Sequence, residues 1–393
     1  DVWAATAESF GFERYDASVL EPAILYKSKG AENEEMVNEQ TYTFIDRGER
    51  EVTLRPEMTP TVARMVAGRR RELSLPVRWY SIPNLFRYER PQRGRLREHW
   101  QLNCDIFGAD DYTADVEIIA LAYQIILNFG AEANLFAIHI NDRAEMRTKY
   151  AALGVIATET QDAITRLNDR FHKISADEYK TALREIVGDN AIVEAVYTLV
   201  SGGDSTDSNK VVDGLRELGI ENVKIDRSIA RGFNYYTGTI FEIFDVSGEN
   251  NRSMLGGGRY DNLTGMFSAD PISGIGFGMG DVTMRDFLET HDLLTSSITA
   301  PTVMVIPMET DQNLAAQKIA MAIRRKEISV ATDIGTRKLG KKISDAAERL
   351  VEYIIVVGED ELTSGTYTLK NLIEESEIKG TLDELITHIT EAE

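Results

Sequence analysis

Cysteine is almost missing from this chain. Its 393 residues include one, Cys104, so no intrachain disulfide can form and a cysteine-based zinc site is excluded. That economy suits a reducing cytoplasm, and Cys104 itself reads as a small buried hydrophobe. No apolar run approaches the ~18 residues that a membrane-spanning helix needs. The opening Asp1-Val2-Trp3 shows no basic segment followed by an apolar one, so no secretion signal is read there. Positive charge is scarce too: 43 Lys and Arg face 64 Asp and Glu, a net charge of −21. Phosphate binding rests on Lys and Arg, so this balance taken alone argues against nucleic acid as a partner. Local patches decide the matter, though, and there are two, Arg90 to Arg97 and Arg337 to Lys342. A zinc-binding helix motif, a Gly-x-Gly-x-x-Gly fingerprint and a serine nucleophile elbow are all missing. The five histidines, His99 and His139 among them, form no ligand pair at helical spacing, so no metal held by protein side chains alone is expected.

A chain of this length exceeds one ordinary core and calls for two or three domains. Up to about residue 140, strands and helices mix. Thr113 with Asp115-Val116-Glu117 reads as a helix start, and Val116, Ile119, Tyr123 and Ile126 recur at helical spacing. Residues 144–200 read as several helices, and Ser201 to Ser208 as a loop. From about 225 to 280 the pattern turns to β, with a strand from Tyr235 to Phe244 and Gly-rich strands after it. Beyond Thr299-Ala-Pro301 strands and helices alternate. Strands are expected at Val303–Ile306, Ser329–Thr332 and Tyr353–Val357. Helix stripes are expected at Ala315, Ile319, Ala322, Ile323 and at Ile343, Ala346, Ala347, Leu350.

The richest segment runs from Leu85 to Phe107. Trp100, Leu102, Cys104 and Ile106 alternate with Gln101, Asn103 and Asp105, the signature of a strand with one polar face. Pro91 and Gly94 mark a loop carrying Arg93, Arg95 and Arg97. Two antiparallel strands joined by an arginine-studded loop follow. Such a polar face meets either water or a polar ligand. The planar, bidentate guanidinium groups favour a phosphate-bearing one.

Five further stretches stand out. Arg231-Gly-Phe-Asn-Tyr-Tyr-Thr-Gly reads either as a hairpin with aromatic cross-strand pairs or as a binding segment. Leu255-Gly-Gly-Gly-Arg-Tyr-Asp261 offers either a bulge or a close backbone approach to a ligand. Thr53-Leu-Arg-Pro-Glu-Met-Thr59 reads as a helix start after Pro56, with Glu57 favouring the positive helix end. Ser273-Gly-Ile-Gly-Phe-Gly-Met-Gly280 alternates glycine with bulk, which in a strand leaves one bare face wide enough for an adenine ring. Gly335-Thr-Arg-Lys-Leu-Gly-Lys-Lys342 nearly spells a phosphate loop, but Lys342 stands where a magnesium-holding Ser or Thr belongs.

The segment Leu85–Phe107 resembles motif 2 of class II aminoacyl-tRNA synthetases, in the form found in histidyl-tRNA synthetases. The other stretches resemble segments of the same family, in order, over nearly the whole chain. The resemblance implies an α+β fold: an antiparallel class II sheet flanked by helices, over about 1–140 and 226–298. It also implies a helical insertion over 141–225 and an α/β anticodon-binding domain over 299–393. Arg87 and Arg231 would meet the α-phosphate of ATP and the reacting carboxylate. Glu57, with Thr59 beside it, would take the α-ammonium of histidine. Gln101, Asp105, Tyr235, Tyr236 and Tyr260 would line the amino-acid pocket, with Arg259 as a further pocket candidate. Glu89, Arg95, Gly278 and Gly280 would serve ATP. Arg337, Lys338, Lys341 and Lys342 would meet tRNA phosphates. ATP with magnesium is implied as substrate, with no tightly bound cofactor, and a homodimer in the cytoplasm. An alternative is a non-catalytic, synthetase-like regulatory subunit of histidine biosynthesis, a class that generally lacks the anticodon domain.

Departures are visible. Asn234 stands where the family commonly has Asp, and Ser18 where motif 1 has proline. The family's opening Arg-Gly-x-x-Asp is not found, so further residues are expected ahead of Asp1. Thr283 occupies the place of the motif 3 arginine that binds the terminal phosphate of ATP. Arg285, or an arginine of the motif 2 loop, is expected to compensate.

Overall fold

The computed structural model describes residues 1–27, 40–90, 92, 94–202, 209–230, 235–250, 252–267, 270–294 and 300–392. The chain divides into two compact units, Asp1–Leu294 and Thr295–Glu393.

The first unit begins with α1 (Val2–Ser9), β1 (Glu13–Arg14), β2 (Leu20–Pro22), α2 (Ile24–Lys27), β3 (Thr43–Ile45), β4 (Glu51–Leu54) and α3 (Thr59–Arg69). There follow β5 (Val77–Ser81), β6 (Asn84–Phe86), β7 (Glu98–Phe107), α4 (Thr113–Asn128) and β8 (Phe136–Asp142). Then come α5 (Arg143–Ala152), α6 (Thr158–Asn168), α7 (Ala176–Val187), α8 (Asn190–Ser201), α9 (Lys210–Glu217) and β9 (Val223–Ile225). Strands β10 (Thr239–Asp245), β11 (Ser253–Arg259) and β12 (Gly274–Gly280), with α10 (Asp281–Thr290), complete it.

The main sheet runs β1-β5-β7-β12-β11-β10-β8-β9, with β6 paired to the outer end of β7. Only the edge pairs β1–β5 and β8–β9 are parallel. Leu102, Cys104 and Ile106 of β7, with Ile275, Phe277 and Met279 of β12, turn to one face. There they pack with Ile118, Ile119, Leu121, Ile125 and Ile126 of α4. Burying this face supplies the hydrophobic drive of the unit. On the opposite face a second cluster, with Phe107, Tyr236, Ile240 and Tyr260, packs beside Asp105 and Gln101, and the site stands there. A side chain at Gly257, in the middle of β11, would strike the Gly276 carbonyl and start 2.7 Å from Phe277 Cβ, so only glycine fits this crossing.

Two expectations shift. Tyr235 and Tyr236 do not lie in a strand; β10 starts at Thr239, and the Thr237 N–H bonds the Arg259 carbonyl just before it. The helical cluster with its own core comprises α5 to α8, closed by Tyr150, Tyr179, Leu183, Val193 and Val196. Helix α9 instead buries Val211, Val212 and Leu215 in the main core, and β9 pairs with β8. Local signals set these helices well. Ser175 and Glu178 form a capping box on α7, and Gly188 closes it with φ 73°.

The second unit contains β13 (Val303–Pro307), α11 (Asn313–Arg324), β14 (Val330–Thr332), α12 (Leu339–Glu348), β15 (Tyr353–Val357), α13 (Glu359–Ser364), β16 (Thr366–Asn371), β17 (Ser376–Thr381) and α14 (Leu382–Ala392). Its sheet runs β14-β13-β15-β16-β17, parallel across the first three strands. The buried stripe of α11 is Ala316, Ile319, Ala320 and Ile323; Ile319 and Ile323 fall as expected, while Ala316 and Ala320 are buried in place of Ala315 and Ala322. Helix α12 stops at Glu348, so Leu350 falls in a turn with φ 60° and stays exposed.

Candidate active site

The floor of the site is the glycine face of β12. Each glycine there leaves room that a neighbouring strand fills. The Tyr260 ring lies 2.5 Å from where a Gly274 side chain would begin. Asp105, the Tyr260 hydroxyl and the Cys104 carbonyl crowd the same point at Gly276, and the Gln101 amide covers Gly278 at 2.8–2.9 Å. The nearest atom at Gly280 is Thr283 Oγ1, 3.5 Å away. The expected bare face is therefore not bare: β7 and the residue following β11 lay Tyr260, Asp105 and Gln101 along it, and Gly280 is its most open point.

Tyr260 donates a hydrogen bond to Asp105 Oδ1. Asp105 is 2% exposed, and its Oδ2 has no hydrogen-bond partner among the described residues. Burial raises the Asp105 carboxyl to about 7, with the Tyr260 bond pulling the other way. Tyr235, Tyr236 and Tyr260 form a ring cluster, with Tyr235 edge-on to Tyr260 at 5.9 Å. The Tyr235 hydroxyl donates to Glu57 Oε2 at 2.9 Å, and Thr59 lies beside it at the start of α3. Glu57 is buried. A buried carboxylate behind an aromatic wall suits a cation, while Asp105 suits a neutral N–H.

The hairpin of β6 and β7 forms as expected: Leu85 pairs with His99, and the Arg87 N–H bonds the Arg97 carbonyl. Arg87 Nε donates to the Pro56 carbonyl at 2.9 Å, which holds the guanidinium next to Glu57. Burial pulls the Arg87 pKa down while Glu57 and Glu89 push it up; an arginine stays charged in any case. His99 is driven down to about 4, first by burial and then by Arg87, so its ring is neutral. Arg95 pairs with Glu89 at 2.9 Å. The site thus gathers Glu57, Thr59, Arg87, Glu89, Arg95, Gln101, Asp105, Tyr235, Tyr236, Tyr260, Gly278 and Gly280. Arg231, Asn234 and Arg93 lie outside the described residues.

Three assignments change. Arg259 faces away from the pocket: its Nε donates to Asp115 of α4 at 2.9 Å, and the same guanidinium bonds the Ala109 and Asp111 carbonyls. It locks sheet to helix. Arg285 is on the solvent side of α10, with 69% of its side-chain surface exposed, and its ion pair among the described residues is with Glu289 one turn on. In the second unit, Lys342 is 3% exposed and donates to the Pro307 and Asp333 carbonyls, so its ammonium is unavailable to RNA. Arg337 bridges Asp333 and Asp345, and Lys341 reaches Asp345 and Glu348, both still largely exposed. Lys338, exposed just ahead of α12, has no ion pair among the described residues.

The family model Histidyl-tRNA synthetase matches residues 4–281, and Anticodon binding domain matches 302–392. The chain is similar to the histidine–tRNA ligase of Leptospira biflexa, 40% identical over 400 residues, covering 98% of this chain and 91% of that protein. It is 38% identical to the histidine–tRNA ligase of Thermoplasma volcanium, over 94% of this chain and 88% of the other. Its fold matches the crystal structure of histidyl-tRNA synthetase from Nostoc sp. PCC 7120 with a TM-score of 0.80 at 22% identity, covering 100% and 94% of the two chains. On the match over residues 4–281 and the identity to these relatives, the chain belongs to the histidyl-tRNA synthetase family.

Proposed function

We propose that this protein activates L-histidine with ATP and joins it to tRNA(His). The observation that carries the choice of amino acid is Asp105 Oδ2, a buried acceptor without a partner among the described residues, next to the tyrosine cluster. An imidazole N–H completes it, and Glu57 takes the α-ammonium. Arg87, next to Glu57, then lies where the α-carboxylate and the α-phosphate of Mg-ATP meet. The carboxylate oxygen bonds the α-phosphorus, the bond from that phosphorus to the bridging oxygen breaks, and pyrophosphate leaves. Arg87, with Arg231 as its expected partner, stabilises the added negative charge. In the second step the terminal ribose hydroxyl of tRNA attacks the histidyl carbonyl carbon and AMP departs. No protein side chain becomes covalently attached; positioning and charge do the catalysis.

Arg337, Lys338 and Lys341 remain the proposed RNA contacts of the second unit. The regulatory-subunit alternative is disfavoured by the anticodon-binding segment at 302–392. A homodimer through the region around Ser18 and Pro22 is supported by the exposed apolar residues Val19, Leu20, Ile24, Phe44 and Ile45. Such an enzyme would work in the cytoplasm. Histidine-dependent exchange of pyrophosphate into ATP tests the reading. We expect exchange with histidine and none with other amino acids; a folded sample without it is not a synthetase.

A further inference from the structure

The place of the terminal-phosphate cation is left open by the two residues that could have filled it from α10. The Thr283 hydroxyl donates to the Met254 carbonyl at 2.9 Å, which fastens the first turn of α10 to β11. Arg285 points to Glu289 and solvent.

The neighbouring strand brings a different arginine. Arg252, directly before β11, is half-buried against the loop between β6 and β7. A side chain at Gly94, the turn of that loop, would begin 3.1 Å from Arg252 Cδ, 3.6 Å from Arg252 Nε and 3.6 Å from Asp286 Oδ2. Gly94 also has φ 77°, so the loop turns here on a backbone that favours glycine, and its bare backbone lets Arg252 approach. Arg95 is the next residue, and it bonds Glu89. Burial lowers the Arg252 pKa, the like charge of Arg95 lowers it too, and Glu89 and Asp286 push the other way. Arg87 feels the same Glu89 and Arg95. Arg95 thus interacts with both Arg87, beside Glu57, and Arg252. Like charges set together in a partly desolvated place are costly, and an anion with several charges along its length relieves them.

We infer that Arg252 binds the β- and γ-phosphates of ATP, supplying from β11 the cation that Thr283 does not provide. This rests on the synthetase reading above. As the bond from the α-phosphorus to the bridging oxygen breaks, charge builds on the departing pyrophosphate, and Arg252 stabilises it there. The same contact is used in reverse when pyrophosphate returns to make ATP.

The test compares Arg252→Ala and Arg252→Lys with the unmutated protein in histidine-dependent ATP–pyrophosphate exchange. Alongside, binding of a non-hydrolysable histidyl-sulfamoyl adenylate, which lacks the β- and γ-phosphates, is titrated. For Arg252→Ala we expect KM for ATP and for pyrophosphate to rise about tenfold or more. KM for histidine and affinity for the sulfamoyl adenylate should stay within about twofold, and Arg252→Lys should fall between. Arg285→Ala should match the unmutated protein. An unchanged KM for ATP overturns the inference. So does a parallel loss of sulfamoyl-adenylate binding, because that means a deformed pocket and not a lost phosphate contact. No exchange by the unmutated protein would instead overturn the synthetase reading itself.

Discussion

Asp105→Asn should make the folded protein more stable while spoiling its site. The Asp105 carboxyl is raised from 3.8 to about 7 by burial. The unfolded chain releases this proton near pH 3.8, the folded chain only near 7. Between those values the folded state holds the extra proton, so stability falls as pH rises through the window, and above 7 the full cost stands. A rise of that size is worth up to roughly 4 kcal/mol at pH 8, of which up to roughly 3 kcal/mol accumulates between pH 5 and pH 8. Asparagine keeps an oxygen to accept the Tyr260 hydroxyl but has no proton to lose. Other ionisable groups cancel when the two proteins are compared at equal pH. Urea unfolding followed by tryptophan fluorescence is the suitable assay, because Trp3, Trp79 and Trp100 are the only tryptophans and all lie in the first unit. The stability advantage of Asp105→Asn should grow from pH 5 to pH 8. A difference that stays constant with pH, or shrinks, refutes the reasoning. Stability is a cleaner readout than KM for histidine, whose own imidazole titrates over the same range. A destabilising carboxylate kept at a cleft is the usual mark of a group retained for function.

Further substitutions follow from the same geometry. Gly276→Ala places a methyl group against Asp105 and 2.7 Å from the Tyr260 hydroxyl, so kcat/KM for histidine should drop roughly 10²-fold in the exchange assay. Arg259→Ala strands the buried Asp115 carboxylate and should cost about 3–5 kcal/mol in urea unfolding, with Arg259→Ala and Asp115→Ala together costing less than the sum of the two alone. Lys342→Met removes the donor to two buried carbonyls and should lower stability of the second unit by about 1–3 kcal/mol without changing the salt dependence of tRNA binding. Lys338→Ala should do the reverse, reducing the salt slope by about 1 with no change in melting.

The sequence pattern carried the parts of this site that are local. Period-2 alternation in β7 gave both the apolar face with Leu102 and Cys104 and the polar face with Asp105. The alternation of glycine with Ile275, Phe277 and Met279 gave β12 and its glycine face. What failed was long-range. Arg259 has its partner Asp115 144 residues away, and nothing in the Gly-Gly-Gly-Arg-Tyr run points to it. Lys342 sits among charges in sequence, yet the inward face of α12 takes it, because two carbonyls there accept its protons. Arg285 was drawn off by a carboxylate one turn along its own helix. Arg252 had one legible signal, an arginine just ahead of a glycine-rich strand in a chain short of cations, but its relation to Gly94 and Arg95 exists only once β11 and the motif 2 loop are brought together.

The central claim is that one cleft holds both ends of histidine, with the α-phosphate of ATP between Arg87 and Arg231. A crystal structure with histidinol and ATP tests it most directly. The account predicts the imidazole N–H on Asp105 Oδ2, the ammonium on Glu57 and the α-phosphate against both guanidinium groups. Histidinol bound elsewhere, or an α-phosphate that Arg87 does not reach, contradicts it.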